Sequence, residues 1–171
     1  MNKKSLILFL GITSLAFGQV KKNVSYFPLN KVHLSESVFS KAMQTDEKYI
    51  LSMDPDRLLA PYLKEAGLKP KKEHYPNWEN TGLDGHIGGH YISALALMYA
   101  STGDAKIKQR LDYMINELER CQNLSGNGYL SGVPDGKKIW KEIADGNIRA
   151  ATFGLNDRWV PLYNIHKTYS G

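Results

Sequence analysis

Between Trp78 and Asp104 the chain reads WENTGLDGHIGGHYISALALMYASTGD, and no other stretch constrains the fold as strongly. From Ile87 the apolar residues Tyr91, Ala94, Leu95 and Met98 return at helical spacing, and Thr102-Gly103-Asp104 joins a glycine stop to an aspartate cap. A second helix is expected from Ala105 to about Cys121. Ile107, Leu111, Met114, Ile115 and Leu118 make one stripe there, with Lys106, Lys108, Arg110 and Glu117 mostly off it. The two form an antiparallel αα-hairpin with a short connection. His86 then lies at the end opposite the turn, and the segment leaving the second helix at Gln122 lies at that same end. This segment reads as a long irregular loop reaching Asn156, and long loops held by packed helices are where binding chemistry tends to sit.

Upstream, Gln19 to Leu34 alternates weakly and fits a short strand or an extended arm. Ser35 and Ser37 offer caps for a helix through Val38, Phe39, Ala42, Met43, Tyr49, Ile50 and Met53 that ends near Asp54-Pro55. A short helix from Asp56 to Glu65 carries Leu58, Leu59 and Leu63, has Pro61 in its path and closes at Gly67. A polar, aromatic connection from Lys69 to Leu83 follows. A last helix is expected from Asn156 or Asp157 through Trp159, Leu162, Tyr163 and Ile165, apolar enough to need a covering partner, with no later segment to supply one. Strand signals are sparse, so the class is all-α, with helix pairs stacked side by side rather than a self-contained bundle.

Residues 1–18 read as a secretory signal: Lys3 and Lys4 make a basic start, Leu6 to Phe17 is apolar but too short to span a bilayer comfortably, and Ala16-Phe17-Gly18 resembles a cleavage site. Export to the periplasm or the cell exterior is the expectation, with no membrane association after signal removal. Removing these residues takes away two lysines and no acid, so the net charge falls from +5 to +3. The basic patch Lys69, Lys71 and Lys72 has no aromatic interleaving and suggests a solvated loop, not a nucleic-acid interface. Cys121 is the single cysteine, so no internal disulfide framework exists. It continues the apolar stripe of its helix and is read as a small buried hydrophobe, with a metal thiolate as the sharper alternative.

His86 and His90 project from one helix face about one turn apart. The spacing can bind zinc in an HExxH helix, but Ile87 stands where the glutamate base would be, which removes the protease reading. Hydrogen bonding to ligand hydroxyls is the role expected of one of them, with His86 nearer the mouth. Gly88 and Gly89 inside a helix each cost roughly 1 kcal/mol relative to alanine, so something approaches closely there, a ligand or a neighbouring helix. Trp78, Trp140 and Trp159 fall in or beside loops assigned to the histidine end, either as packing or as a stacking platform for a ligand. Gln122 and Tyr129 open the same loop as weaker candidates. Glu79, Asp84, Asp135, Glu142, Asp145 and Asp157 are available acids that sequence cannot pair, and Asp84 is expected to cap the helix or orient a histidine.

Five phrases in order, SMDPDRLLAPYLKEAGL (Ser52 to Leu68), the Trp78 to Asp104 block, RLDYMINELERCQ (Arg110 to Gln122), GNGYLSGVPDGKKIW (Gly126 to Trp140) and LNDRWVPLYNIHK (Leu155 to Lys167), resemble the amino-terminal part of β-L-arabinofuranosidase-type glycoside hydrolases of families 127 and 146. The resemblance implies an (α/α)6 toroid of helix hairpins, usually followed by β-sandwich domains. Six pairs at roughly 30 residues each exceed this length, so a truncated, partial toroid over residues 19–171 is expected. It also implies hydrolysis of terminal β-L-arabinofuranosides on plant-type glycans by a zinc-bound cysteine thiolate and a glutamic acid. The family's zinc ligands fall outside the matched stretch, so no catalytic residue and no zinc are assigned to this chain, which is expected to be inactive alone. His166, in YNIHK, matches a histidine that lines the sugar-binding end of the family's barrel, or else it is a core histidine. The rival readings are a non-catalytic carbohydrate-binding or scaffold module and another α/α-toroid hydrolase or lyase.

Overall fold

Each of the first four helices starts where a side chain can take up its orphan amide groups. The structure, a computed structural model, describes residues 25–171. Helix α1, Val38–Ser52, opens on a reciprocal capping box in which the Ser37 hydroxyl accepts from the Ser40 amide and the Ser40 hydroxyl accepts from the Ser37 amide. Helix α2, Pro55–Glu65, is capped by Asp54, with Pro55 in the first turn, where its missing N–H costs nothing. Helices α3, His86–Thr102, and α4, Ala105–Ser125, meet at Gly103, whose φ of 69° lets the chain reverse, and Asp104 accepts from the Lys106 and Ile107 amides. The expected hairpin is present. The expected signal lies outside the described residues, and the part of the Gln19 to Leu34 segment within them carries a short 3-10 turn, Leu29–Lys31, instead of a strand.

Helices α2, α3 and α4 enclose the core. Leu58, Leu59 and Leu63 from α2, Tyr91 and Leu95 from α3, and Ile107, Met114, Leu118 and Cys121 from α4 are buried together. Ile115, placed on the buried stripe by its spacing, is 45% exposed, so the stripe is narrower than the sequence suggests. The α2 helix runs through Pro61, which is itself buried. No helix among the described residues is long and apolar enough to cross a membrane.

Two expectations for the second half are corrected. The Gln122 to Asn156 segment is not wholly irregular: helix α5, Gly136–Ala144, occupies its middle and buries Ile139. The last helix, α6, begins at Pro161 and not at Asn156 or Asp157. Asn156, Asp157 and Val160 all have positive φ, which no helix permits, and their turns build a small antiparallel meander of β1 (Ala150–Ala151), β2 (Gly154–Leu155) and β3 (Arg158–Trp159). Trp159 therefore sits on a strand. Asn156 ties the meander together from a buried position, donating to Glu142 Oε2 and the Asn147 carbonyl while accepting from the Arg149 amide.

Helix α6 packs against α3 through Pro161, Asn164 and Thr168, while the apolar residues expected to need a cover, Leu162 and Tyr163, stay exposed among the described residues. A Cβ added to Gly89 would stand 2.2 Å from the Lys167 carbonyl oxygen, and one added to Gly88 would stand 2.9 Å from the Tyr62 ring. The close neighbour of the glycine pair is thus a helix backbone and an aromatic ring. Because a backbone cannot move aside cheaply, Gly89→Ala is expected to destabilise the fold by about 1–3 kcal/mol in chemical denaturation, whereas a loss within a few tenths would mean that α6 is not seated there.

Candidate functional site

The head of α3 is organised by a side chain that sequence reasoning left unassigned. Glu79, in a 3-10 turn spanning Asn77–Asn80, is fully buried. Its Oε2 accepts from the Gly85 amide at 2.9 Å and its Oε1 from the Ile87 amide at 3.0 Å, so Glu79 does the capping expected of Asp84. The same Oε1 lies 2.6 Å from His86 Nδ1. Burial pushes the Glu79 carboxyl above its usual range, and the amide bonds from Ile87 and Gly85 work against that rise. Asp84 instead accepts from the Gly82 amide and lies 3.7 Å from His74, so the histidine it adjoins is not on α3.

The tautomer of His86 follows from its partners. Nδ1 is 2.6 Å from the Leu83 carbonyl oxygen as well as from Glu79, and a carbonyl can only accept, so Nδ1 carries the proton. Nε2 is left without a protein partner among the described residues and is available to a ligand hydroxyl. His86 is 6% exposed, and the rings around it are Trp78, His90 and Tyr163, with centroids 6.3, 6.2 and 6.5 Å away. Trp159 meets Trp78 edge-on at 6.4 Å and rests against Gly82. Trp78 and Trp159 are 63% and 41% exposed, as a platform requires.

His90 and His166 are both exposed, on α3 and α6. Burial, reinforced by the charges of Lys167, His86 and His166, holds the His90 pKa below the ordinary histidine value. The structure therefore brings together Trp78, His86, His90 and Trp159, adding Tyr163, whose ring lies under Lys167 Nζ at 4.7 Å, while His166 is linked to them only through the effect of its charge on His90. It does not bring Trp140 or Gln122 into that group. Trp140 donates to the Tyr129 hydroxyl and Gln122 to the Gly128 carbonyl, in a separate cluster that Tyr169 joins through the Leu130 amide. The signal for Tyr163 was available, since it stands three residues before His166 and shares its helix face.

The head of α3 is locked from several sides. The Tyr62 hydroxyl donates to the Gly85 carbonyl at 2.5 Å and meets Thr168 Oγ1 at 2.9 Å, and Asn164 donates to the Asp84 carbonyl at 2.7 Å. Gly85, with φ of 91°, packs so closely on Gly132 that a Cβ there would lie 3.0 Å from the Gly132 Cα. Beside the histidines, on the other side of Trp78 and Ile87, a groove of about 890 Å³ runs between the end of α1 and residues 75–81.

None of the candidate acids is left facing this cluster unengaged. Asp135 pairs with Arg158, Glu142 and Asp157 with Arg149, and Asp145 with Lys141. Cys121 is buried and burial pushes its thiol up to about 11, the behaviour of a small core residue. Among the described residues no three His, Cys, Asp or Glu side chains stand close enough to hold a metal ion together. The donors present do not fit a zinc–thiolate centre.

Comparison with family models matches residues 31–171 to the catalytic domain of β-L-arabinofuranosidases, glycoside hydrolase family 127. The chain belongs to this family. Family 127 domains are α/α toroids, in keeping with the helix pairs seen here, and membership makes the chain part of a glycoside hydrolase family. No curated protein matches the chain.

Three measurements check His90 and Cys121. His90 has a depressed folded-state pKa, so its contribution to stability is complete above the unfolded value of about 6.5 and is lost as pH falls through the folded one. The wild-type protein is expected to lose more stability than His90→Asn between about pH 7 and about pH 5, and the His90 NMR titration midpoint should fall below that of a free histidine. Cys121 is expected to resist alkylation near pH 8 in the folded protein and to react at once on unfolding; labelling of the native protein would contradict its burial.

Proposed function

We propose that this chain is the sugar-recognising part of an exported β-L-arabinofuranosidase-type hydrolase, acting on terminal β-L-arabinofuranosides of plant-type glycans. The observation that carries the reading is the meeting, at one end of the α3–α6 pair, of the histidines His86 and His90 with the exposed rings of Trp78 and Trp159, with His166 coupled to His90 through its charge. A furanoside offers a weakly apolar face and several hydroxyls. Tryptophan faces suit the first and neutral imidazole nitrogens suit the second.

In this reading Nε2 of His86 accepts from one hydroxyl, and His90 and His166, each able to donate or accept, complete the ring of partners. Depression of the His90 pKa supports a neutral imidazole at neutral pH, which matches an uncharged ligand. Trp140 and Gln122, engaged elsewhere, support the site from a distance if at all.

By itself the chain binds and does not cleave. What supports this is the state of its acids and its thiol: Glu79 spends both oxygens on α3 and His86, Asp84 accepts from the Gly82 amide, Asp135, Glu142, Asp145 and Asp157 are paired with cations, and Cys121 is a buried neutral thiol. No step of hydrolysis is therefore derived from these residues, and the family's zinc chemistry is not assigned to them.

Calorimetric titration of the full chain with L-arabinose tests the reading, with His166→Ala as the variant. Loss of one hydroxyl hydrogen bond is expected to weaken binding by about tenfold while the denaturation midpoint stays unchanged. The full chain is expected to release no arabinose from an aryl β-L-arabinofuranoside. Wild-type protein that ignores L-arabinose would sink the recognition reading, and turnover would sink the division between binding and cleavage.

A further inference from the structure

Where asparagine or aspartate precedes glycine, the glycine nitrogen can reach the side-chain carbonyl before it with no side chain of its own in the way. The chain has four such steps: Asp84-Gly85, Asn127-Gly128, Asp135-Gly136 and Asp145-Gly146. Every other described asparagine precedes a residue that carries a side chain. An amide carbon is also more open to attack than that of an ionised carboxylate, which sets Asn127 apart from the three aspartates.

The fold disarms three of the four. The Gly85 amide donates to Glu79 Oε2 at 2.9 Å, the Gly136 amide to the Val133 carbonyl at 3.0 Å and the Gly146 amide to the Ile143 carbonyl at 3.0 Å, so each of these nitrogens is already engaged. Gly85 and Gly136 are crowded as well, by Gly132 and by the Tyr129 hydroxyl. Asn127-Gly128 lies instead in the exposed turn that follows α4. The Gly128 amide donates to no protein atom among the described residues, and beyond its chain neighbours nothing stands within 4 Å of a Cβ built there.

The carbonyl to be attacked is also prepared. The Tyr129 amide donates to Asn127 Oδ1 at 3.1 Å, the oxygen on which negative charge develops when Cγ becomes tetrahedral. Asn127 Nδ2, the leaving group, has no protein partner among the described residues. One exposed turn thus holds an unengaged nitrogen, a polarised carbonyl and a leaving group open to water.

We infer that Asn127 is a site of spontaneous backbone modification. The Gly128 nitrogen attacks Asn127 Cγ and a new C–N bond closes a succinimide ring. The bond from Cγ to Nδ2 breaks, and the Gly128 proton departs with the leaving nitrogen as ammonia. Water then opens the ring at either carbonyl, giving aspartate or isoaspartate, and in isoaspartate the main chain is longer by a methylene. The Gly128 carbonyl accepts from Gln122 Nε2 of α4 at 2.9 Å and from the Tyr169 hydroxyl of α6 at 3.4 Å, and that hydroxyl accepts from the Leu130 amide at 3.2 Å. Lengthening the chain at residue 127 displaces this carbonyl, so isoaspartate loosens the tie between the ends of α4 and α6. Aspartate, with an unaltered backbone and an acceptor still facing the Tyr129 amide, keeps it.

The test is incubation of the full chain, beside a free peptide of residues 122–132, in warm and mildly alkaline buffer. Peptide mapping by mass spectrometry follows the mass gained when NH2 becomes OH, and labelling by an isoaspartyl methyltransferase detects the lengthened backbone. Modification is expected first at Asn127, no more slowly in the folded chain than in the peptide, and is expected to vanish in Asn127→Gln, where a larger ring would have to close. A folded-chain rate about tenfold or more below that of the peptide, or earlier change at another of the four steps, would overturn the proposal. In the isoaspartyl product, hydrogen exchange at the Leu130 amide should rise about tenfold, as loss of one neutral hydrogen bond implies, whereas Asn127→Asp should match the parent. Parent-like exchange in the isoaspartyl product would remove the consequence for the α4–α6 tie.

Discussion

A carboxylate taken out of water must recover its hydrogen bonds from the protein, and Glu79 recovers two of them at one point of the chain, with a histidine nitrogen close beside it. The donors are the Gly85 and Ile87 amides, and the neighbouring nitrogen is His86 Nδ1. Two consequences follow from one side chain: α3 begins where it does, and the first histidine of that helix is turned with its Nδ1 inward. An amide at this position could satisfy the same groups only in part, because its nitrogen would face donors where the carboxylate faces them with an acceptor. Breaking a buried charged interaction of this kind typically costs about 3–5 kcal/mol, far more than any surface ion pair in the molecule. The geometry of the candidate site therefore depends on Glu79 more than on the residues that would touch a ligand.

Close backbone approach is the second constraint, and it follows from the first. With the head of α3 fixed, Gly89 admits the α6 backbone, Gly88 admits the Tyr62 ring, and Gly85 admits Gly132. Each contact brings a different segment to the same end: α6 delivers Tyr163 and His166, and the chain around Gly132 leads into α5. The glycines weaken α3 as an isolated helix, by roughly 1 kcal/mol each. Packing of α6 and α2 against the gaps they leave offsets that cost.

The first four helices were legible because their signals are local. Ser37, Asp54, Gly103 and Asp104 announce ends, and a 3.6-residue period announces what lies between. Glu79 was not legible as a cap because it acts across six and eight residues through a 3-10 turn, whereas Asp84 stood in the position where a local cap is normally sought. Helix α5 was hidden by its shortness and by an opening residue, Asp135, in a left-handed conformation with no side-chain cap. Its formation carries Trp140 to Tyr129, which is why three tryptophans near one another in the loop pattern become two in space. The start of α6 was marked by Pro161 at the first helical position, a signal outweighed by the apolar run that begins at Trp159. The (α/α) class and the family were readable because motifs spread over several helices agree in order.

The placement of Trp159 shows how magnitudes sort the remaining interactions. The meander that carries it is surrounded by ion pairs, Arg149 with Glu142 and Asp157, and Arg158 with Asp135, but these lie at the surface, where each contributes about 0–1 kcal/mol. Asn156 is buried and makes three hydrogen bonds, two as donor and one as acceptor, to partners that water can reach, so each bond contributes about 0.5–1.5 kcal/mol. Val160 works in the opposite direction, since a β-branched residue at a φ of 35° is strained. That strain is held by the Val160 amide donating to the Phe153 carbonyl and by Pro161 starting the next helix. The aromatic wall of the site is thus held by one uncharged buried amide working against local backbone strain, with the surrounding charges as minor contributors. Segregation of this kind keeps formal charge on the outer surface of the meander and leaves aromatic, imidazole and hydroxyl groups at the end where α3 begins.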